Sequence, residues 1–390
     1  MCAQSVVRSE NRKVLFVFDS KFSGWKGTQK FFYEFGNYLK TKGYEITLVE
    51  NNRNSDASLL PKGLELPFNT ISFKFGKIFS AFSISRKILD DISPAIIYAN
   101  SFNTLPILPR YNYKVIFGMH VIHISSLKYM NTTERLRFNI KKVIFIAIVK
   151  FIWRNKDIMI HALNTDQRDW VEKITNKRFP VRVIGNPVDC RIDESIAFLK
   201  HLEKNKRLTV LYFGSFSREK GFSGFLKILE NAEQYLQEEI SFIIAGDGVM
   251  KDQAISLSMK YDNIQFIEKP SDDQKMKIML SSDLFVFPSI NENFPVTAVE
   301  AQSSGLPCLF SDITPLKNIV IEGKSGFCLS LDGNFEKRFF DKIQDYLRLW
   351  QNDYGQYLKM RVQIAESTRR LCKENVLPQL LDMVEALVNK

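Results

Sequence analysis

Short apolar runs recur along the chain, each bounded by turn residues and followed by a longer stretch with helical spacing. In the first half they are KVLFVF at Lys13–Phe18 and the segments 45–49, 95–98, 115–118, 158–163 and 181–184. In the second half they are LTVLYF at 208–213, then 241–245, 264–267, LFVF at Leu284–Phe287, and 308–310. Runs of this length, apolar at most positions, predict strands covered on both faces, as in parallel sheets. A helix is predicted from Thr28 (TQKFFYEFGNYLKTKG), and three more close the chain near 334–351, 354–374 and 376–389. The last, LPQLLDMVEALV, is amphipathic. Strands alternating with helices predict the α/β class.

The pattern occurs twice, with polar and charged residues between Asp189 and Arg207. At 390 residues the chain is too long for one ordinary core. The expected division is a tail at 1–12, a first domain at 13–190, a linker at 191–205, a second domain at 206–375 and a terminal helix at 376–390. Residues 1–12 are polar and charged, so no secretory leader is expected. The five cysteines are scattered and form no CxxC, which predicts a reduced, cytoplasmic protein without a disulfide frame or zinc site.

Charge separates the halves. Residues 1–190 carry 29 Lys and Arg against 15 Asp and Glu, whereas 191–390 carry 25 against 28. A basic first half predicts an anionic partner. No helix-turn-helix, zinc or RNP pattern accompanies the charge, which excludes nucleic acid as the expected partner. The segment 134–156 (ERLRFNIKKVIFIAIVKFIWRNK) concentrates basic residues, Lys141, Lys142, Lys150 and Arg154 among them, around the apolar centre 143–149. It reads either as a core helix with a solvated rim or as a helix lying in a membrane interface.

The candidate chemistry centres on 282–307, SDLFVFPSINENFPVTAVEAQSSGLP. A strand at Leu284–Phe287 runs into a polar loop, and Pro295 stands where a helix should begin. Glu292 then lies in the loop, and Glu300 lies about 7 Å along the helix. The bland reading is one capping and one exposed acid. The functional reading has N–H groups at Asn293 and Phe294 beside an anion, and two carboxylates taking sugar hydroxyls in charge-assisted bonds. Val299 and Ala301 flank Glu300, so an unpaired carboxylate there would be costly.

Other turns can hold phosphate or merely need glycine for geometry. Gly214-Ser215-Phe216-Ser217-Arg218-Glu219-Lys220-Gly221 follows the strand at 208–213, and Gly246-Asp247-Gly248 follows that at 241–245. Gly27 precedes the first helix. His120 follows the strand at 115–118 with His123 close behind, and the residues do not separate them.

Glu292 and Glu300 in this setting resemble the signature of the family 4 glycosyltransferases, whose GT-B fold has two Rossmann-like domains facing a central cleft. The resemblance covers most of 13–375, firmly 208–330. It implies a C-terminal helix packing back across the domain junction, and transfer of a hexose from a UDP- or GDP-type sugar to a glycan or lipid-linked acceptor. Retention of configuration without a metal or other cofactor is implied as well. By the same resemblance Glu292 takes sugar hydroxyls, Glu300 the ribose, Lys220 the diphosphate, and His120 the far side of the sugar. Gly27, Gly214, Gly246 and Asp247 fall at family positions beside the donor, as do Pro295 and Val296, and Ile267 is the strand exit where the base is read.

The family arginine is Ser215 here, with Arg218 three residues on as a substitute charge. Thr314-Pro315 and Lys317-Asn318 replace further family motifs. These departures keep two rivals open: a GT-B sugar-nucleotide epimerase or hydrolase, and a binding protein without catalysis. The basic helix suits a peripheral position on the inner face of an anionic membrane.

Overall fold

The computed structural model describes residues 11–18, 22, 27–51, 65–73, 86–100, 113–120, 122, 124, 131–151 and 157–389. His123 and Arg154 lie outside the described residues, and so do the side chains of Lys141 and Lys150. The first domain carries β1 Lys13–Phe18, β2 Glu45–Asn51, β3 Asn69–Phe73, β4 Ile96–Ala99, β5 Lys114–Gly118, β6 Ile158–Ala162 and β7 Val181–Val183. They form one sheet in the order β3-β2-β1-β4-β5-β6-β7. The second domain carries β8 Leu208–Ser215, β9 Ile240–Asp247, β10 Ile264–Glu268, β11 Leu284–Phe287, β12 Cys308–Ser311 and β13 Gly326–Leu329, ordered β10-β9-β8-β11-β12-β13. Every pairing in both sheets is parallel.

The central apolar runs form strands covered on both faces, β4 and β11 being buried at every position, whereas the edge strands β7 and β10 are partly exposed. β3 and β13 were not foreseen. NTISF mixes polar and apolar positions, and GFCL is four residues opening on glycine, so neither stands out as an apolar run. Helix Ile192–Leu199 occupies most of the span read as a linker, burying Ile192, Ser195 and Leu199.

Strand order reverses between β1 and β4 and again between β8 and β11. In an open parallel sheet the loops at such a point diverge at the strands' C-terminal ends and leave a crevice. In the second sheet this sets the loop after Ser215 beside the loop after Phe287.

The chain passes between the domains twice. The first passage follows Ile184. The second precedes helix Lys373–Val388, which buries Val376, Leu380, Met383, Val384 and Leu387 in the core of the first domain. At its end Lys114 Nζ donates to the Val388 carbonyl at 2.8 Å.

The passages run side by side. Val188 pairs with Cys372 in a parallel bridge, and Lys373 N donates to Val188 O at 2.8 Å. There Cys190 and Cys372, 182 positions apart, form a disulfide with a Cα–Cα distance of 5.5 Å. This corrects the expectation of no disulfide and removes the cysteine-based support for a reducing compartment. Both cysteines sit against the core of the second domain, and their pairing depends on the approach of two distant chain passages, which spacing does not encode.

Because Leu380 is fully buried against the first domain, Leu380→Ala is expected to lower stability by about 2–5 kcal/mol. Chemical denaturation read by circular dichroism measures it; a change below about 1 kcal/mol would mean the helix is not part of that core.

Candidate active site

Lys220 and Glu292 come together at the β8/β11 crevice. Lys220 Nζ lies 2.7 Å from Glu292 Oε1, which also accepts from the Ser289 hydroxyl at 3.0 Å. The Glu292 side chain keeps 7% of its surface exposed and that of Lys220 keeps 32%. A carboxylate this buried needs a partner, and removing the ammonium would strand it.

Backbone bonds lace the two loops, since Ile290 N and Asn291 N both donate to Glu219 O. Gly221 makes this approach possible: it has φ +69°, and a Cβ there would lie 1.8 Å from Pro288 O. Gly246 and Gly248 serve a similar purpose, because side chains on them would strike Gly214 O and Phe216. Gly214 itself stands at the β8 exit with Ser215 exposed beside it. Asp247 bonds Lys269 at 3.1 Å, which holds its carboxyl below the ordinary aspartate range. Ile267 is half-buried on β10. Arg218 is exposed and lines a separate groove with Lys227, Pro288, Ile290 and Phe335.

Glu300 belongs to a second cluster. It sits on helix Val296–Ser303, which begins one residue later than expected, with Pro295 as the flanking residue. The buried guanidinium of Arg361 donates to the carbonyls of Leu280, Ser304 and Gly305 and so holds the end of that helix. Glu300 Oε1 is 2.6 Å from Lys275 Nζ, which is 3.2 Å from Asp272. Asp272 in turn meets Lys30 of the first domain at 3.5 Å.

Burial alone would lower the Lys275 ammonium, yet Glu300 beside it raises it above the usual lysine range. These groups line an interdomain cavity of about 180 Å³ with Gly27, Val296 and residues 186–191. A Cβ on Gly27 would meet nothing within 4 Å. Sequence reasoning missed Lys275, which shares its helix with Lys277 and bears no mark that separates the two.

The third part joins the domains. Asn293 Nδ2 donates to the His120 carbonyl at 2.7 Å, its Oδ1 accepts from Gln167 Nε2 at 3.2 Å, and its own carbonyl accepts from Asn164 Nδ2 at 2.8 Å. The Phe294 ring lies against Gly185, where a Cβ would come within 2.3 Å of it. His120 is 6% exposed, with Phe31 at 4.3 Å between ring centres. Burial, helped by neighbouring His161, holds its imidazole well below the ordinary histidine value, and burial takes His161 down to about 4. Both rings are therefore neutral near pH 7.

Together these groups present a cation beside a buried carboxylate, a second paired carboxylate in a cleft, and a neutral imidazole on the facing domain. Such a set can hold a polyhydroxylated anion between two lobes.

Residues 193–370 match the family of glycosyl transferases group 1. A GDP-mannose:cellobiosyl-diphosphopolyprenol alpha-mannosyltransferase of Xanthomonas campestris is 33% identical over 160 residues, 39% of this chain and 40% of that protein. A phosphatidyl-myo-inositol mannosyltransferase of Mycobacterium leprae is 26% identical over 44% of this chain and 50% of its own. With the first five curated relatives the match spans between 28% and 63% of the relative's length. The fold is shared with sucrose-phosphate synthase from Thermosynechococcus elongatus (TM-score 0.73, 17% identity, 96% of this chain and 99% of that one). It is shared also with Anabaena HepE in complex with UDP (TM-score 0.70, 16% identity, 96% of this chain and 100% of that one).

Unfolded histidine protonates near pH 6.5, above the value of about 4 for folded His161. Stability is therefore complete above about pH 6.5 and is lost as pH falls toward 4, by about 3 kcal/mol for this group. Denaturant midpoints at pH 7, 5.5 and 4.5 should fall in that order, and by less in His161→Phe. An equal fall in the variant would show that His161 is not buried as neutral imidazole.

Proposed function

By its residues 193–370 the chain belongs to the group 1 glycosyltransferases of GT-B fold, and from that premise we propose that it transfers a hexose from a nucleoside-diphosphate sugar to a glycan or lipid-linked acceptor, retaining configuration. The observation that carries the reading is the Lys220–Glu292 pair, 2.7 Å apart at the sheet's switch point. Lys220 has three N–H donors and spends one on Glu292 and one, at 3.5 Å, on the Asn291 carbonyl, leaving the third for the diphosphate. As the bond from C1 to the phosphate oxygen breaks, negative charge collects on the leaving group, and a cation already in place lowers the barrier. The acceptor oxygen bonds to C1 on the face the phosphate leaves, and its proton passes to a phosphate oxygen.

Glu292 takes sugar hydroxyls. Glu300 takes the ribose hydroxyls in the interdomain cavity, exchanging part of its bond to Lys275 for them. His120 closes the far side of the sugar. Gly214, Ser215, Gly246 and Asp247 line the diphosphate side, and the backbone at Ile267 meets the base. Arg218 supplies charge only by turning from its groove. Both UDP- and GDP-type donors fit this reading, since the names of the relatives include GDP-mannose and HepE was solved with UDP.

The acceptor reading rests on helix Thr132–Phe151. One side packs into the domain through Phe145, stacked on Trp170 at 5.6 Å. The other leaves Leu136, Ile140, Val143 and Ile144 between 52% and 66% exposed, with Arg135 and Arg137 exposed nearby. An apolar stripe with basic flanks suits the headgroup region of an anionic bilayer, to which Lys141, Lys142, Lys150 and Arg154 would add charge. Among the described residues no helix is long and apolar enough to cross a membrane. A peripheral position on the cytoplasmic face fits these features.

A thermal-shift panel of UDP, GDP, ADP and their sugars identifies the donor; no shift with any of them ends this reading. Lys220→Ala should cut turnover by about two orders of magnitude or more, with Lys220→Ala/Glu292→Gln controlling for the stranded carboxylate; unchanged turnover would remove Lys220 from the chemistry. Glu300→Gln should weaken nucleotide affinity about tenfold, and an unaltered titration would reject the ribose assignment. Val143→Asp/Ile144→Asp should abolish salt-sensitive co-sedimentation with anionic liposomes while leaving the fold intact; sedimentation equal to wild type would rule out the membrane face.

A further inference from the structure

Behind His120 lies a hydrogen-bonded chain that the proposed chemistry does not use. β4, β5 and β6 are neighbours, and their C-terminal ends bring Tyr98, His120 and His161 together. Tyr98 Oη is 3.0 Å from His120 Nε2 and 2.5 Å from His161 Nδ1, and His161 Nε2 is 2.8 Å from the Ile184 carbonyl. Gly118, on the strand between, makes room: a Cβ there would lie 2.7 Å from Tyr98 Oη and 2.8 Å from His120 Cδ2.

The proton positions follow from the far end of the chain. A carbonyl oxygen can only accept, so His161 carries its proton on Nε2. Neutral His161 then has a bare Nδ1, which accepts from the Tyr98 hydroxyl. Burial keeps that phenol protonated, raising it well above its ordinary value. With its single proton committed, Tyr98 Oη can only accept from His120, so His120 Nε2 carries a proton. His120 is neutral as well, which leaves its Nδ1 bare on the ring edge away from Tyr98. Among the described residues that nitrogen makes no hydrogen bond. The His120 backbone meanwhile is tied to Asn293, the residue after Glu292.

We propose that Tyr98 and His161 are positioning residues that lock His120 in its Nε2–H tautomer, so that Nδ1 accepts a hydrogen bond from a hydroxyl of the donor hexose. The inference rests on the glycosyltransferase reading for the sugar, whereas the tautomer is a property of the free protein. A bare imidazole nitrogen selects a group that can donate, and a hexose hydroxyl does so. Nucleoside diphosphate alone lacks the hexose and does not meet this nitrogen.

The test has two arms. Histidine-selective ¹⁵N labelling is practical because the chain has four histidines. Long-range proton–nitrogen correlation on the full chain should show His120 and His161 both as Nε2–H. In His161→Phe the Tyr98 hydroxyl is released to donate to His120 Nε2, and His120 should switch to Nδ1–H. If that variant does not fold, Tyr98→Phe keeps the ring packing and should move the His120 nitrogens toward the mixed values of free imidazole. His120 unchanged from wild type in the folded variants overturns the lock.

In the second arm, Tyr98→Phe should leave the affinity for UDP and GDP unchanged. It should lower kcat/KM about tenfold for whichever of UDP-glucose and GDP-mannose is turned over. An equal loss for the bare nucleotide would make the role structural and overturn the proposal. Binding of neither sugar nucleotide, with the tautomer switch intact, would defeat the functional reading and the hydroxyl assignment together while leaving the proton arrangement standing.

Discussion

The side-chain amide of Asn293 is the bond on which the site geometry turns. It is buried between the domains, and buried amide groups must find partners. Three of its partners come from the first domain: the His120 carbonyl, Gln167 and, through the Asn293 backbone, Asn164. Gln167 is held in turn by bonds to Met119 O, Ile122 O and Leu163 N. Satisfying one amide therefore sets the Glu292 loop in register with the end of β5, and with it the buried carboxylate in register with the neutral imidazole.

A cleft between lobes requires the lobes to be tied without being fused. The two passages of the chain lie side by side at one end of the cavity, joined by the Val188–Cys372 bridge, the Cys190–Cys372 disulfide and the Lys373–Asp189 ion pair at 3.2 Å. Away from this tie the lobes meet through polar contacts. One is the chain Lys30–Asp272–Lys275–Glu300, which joins the Glu300 carboxylate to the first domain.

Strand runs were legible because burial on both faces leaves an unbroken apolar pattern. β3 and β13 were not, since NTISF mixes polar and apolar positions and GFCL opens on glycine. The Glu292–Glu300 spacing, the glycine turns and Lys220 were legible because a strand–loop–helix setting constrains what those residue types can do. Lys275 was hidden, being one of two lysines on a helix with no mark of which way it faces. His161 and Tyr98 were hidden inside apolar strands, where one polar residue reads as an interruption.

What the sequence determined by itself is local: which segments are strands, where turns need glycine, and which loops can bear charge. Those are properties of neighbours along the chain, set by periodicity and backbone sterics. Which charges meet was decided by tertiary structure alone. The pairs Lys220–Glu292, Lys275–Glu300, Asn293–His120 and Cys190–Cys372 join residues from 25 to 182 positions apart. Their approach depends on parallel strand order and on two domains folding against each other, and neither is written in the spacing of any one segment.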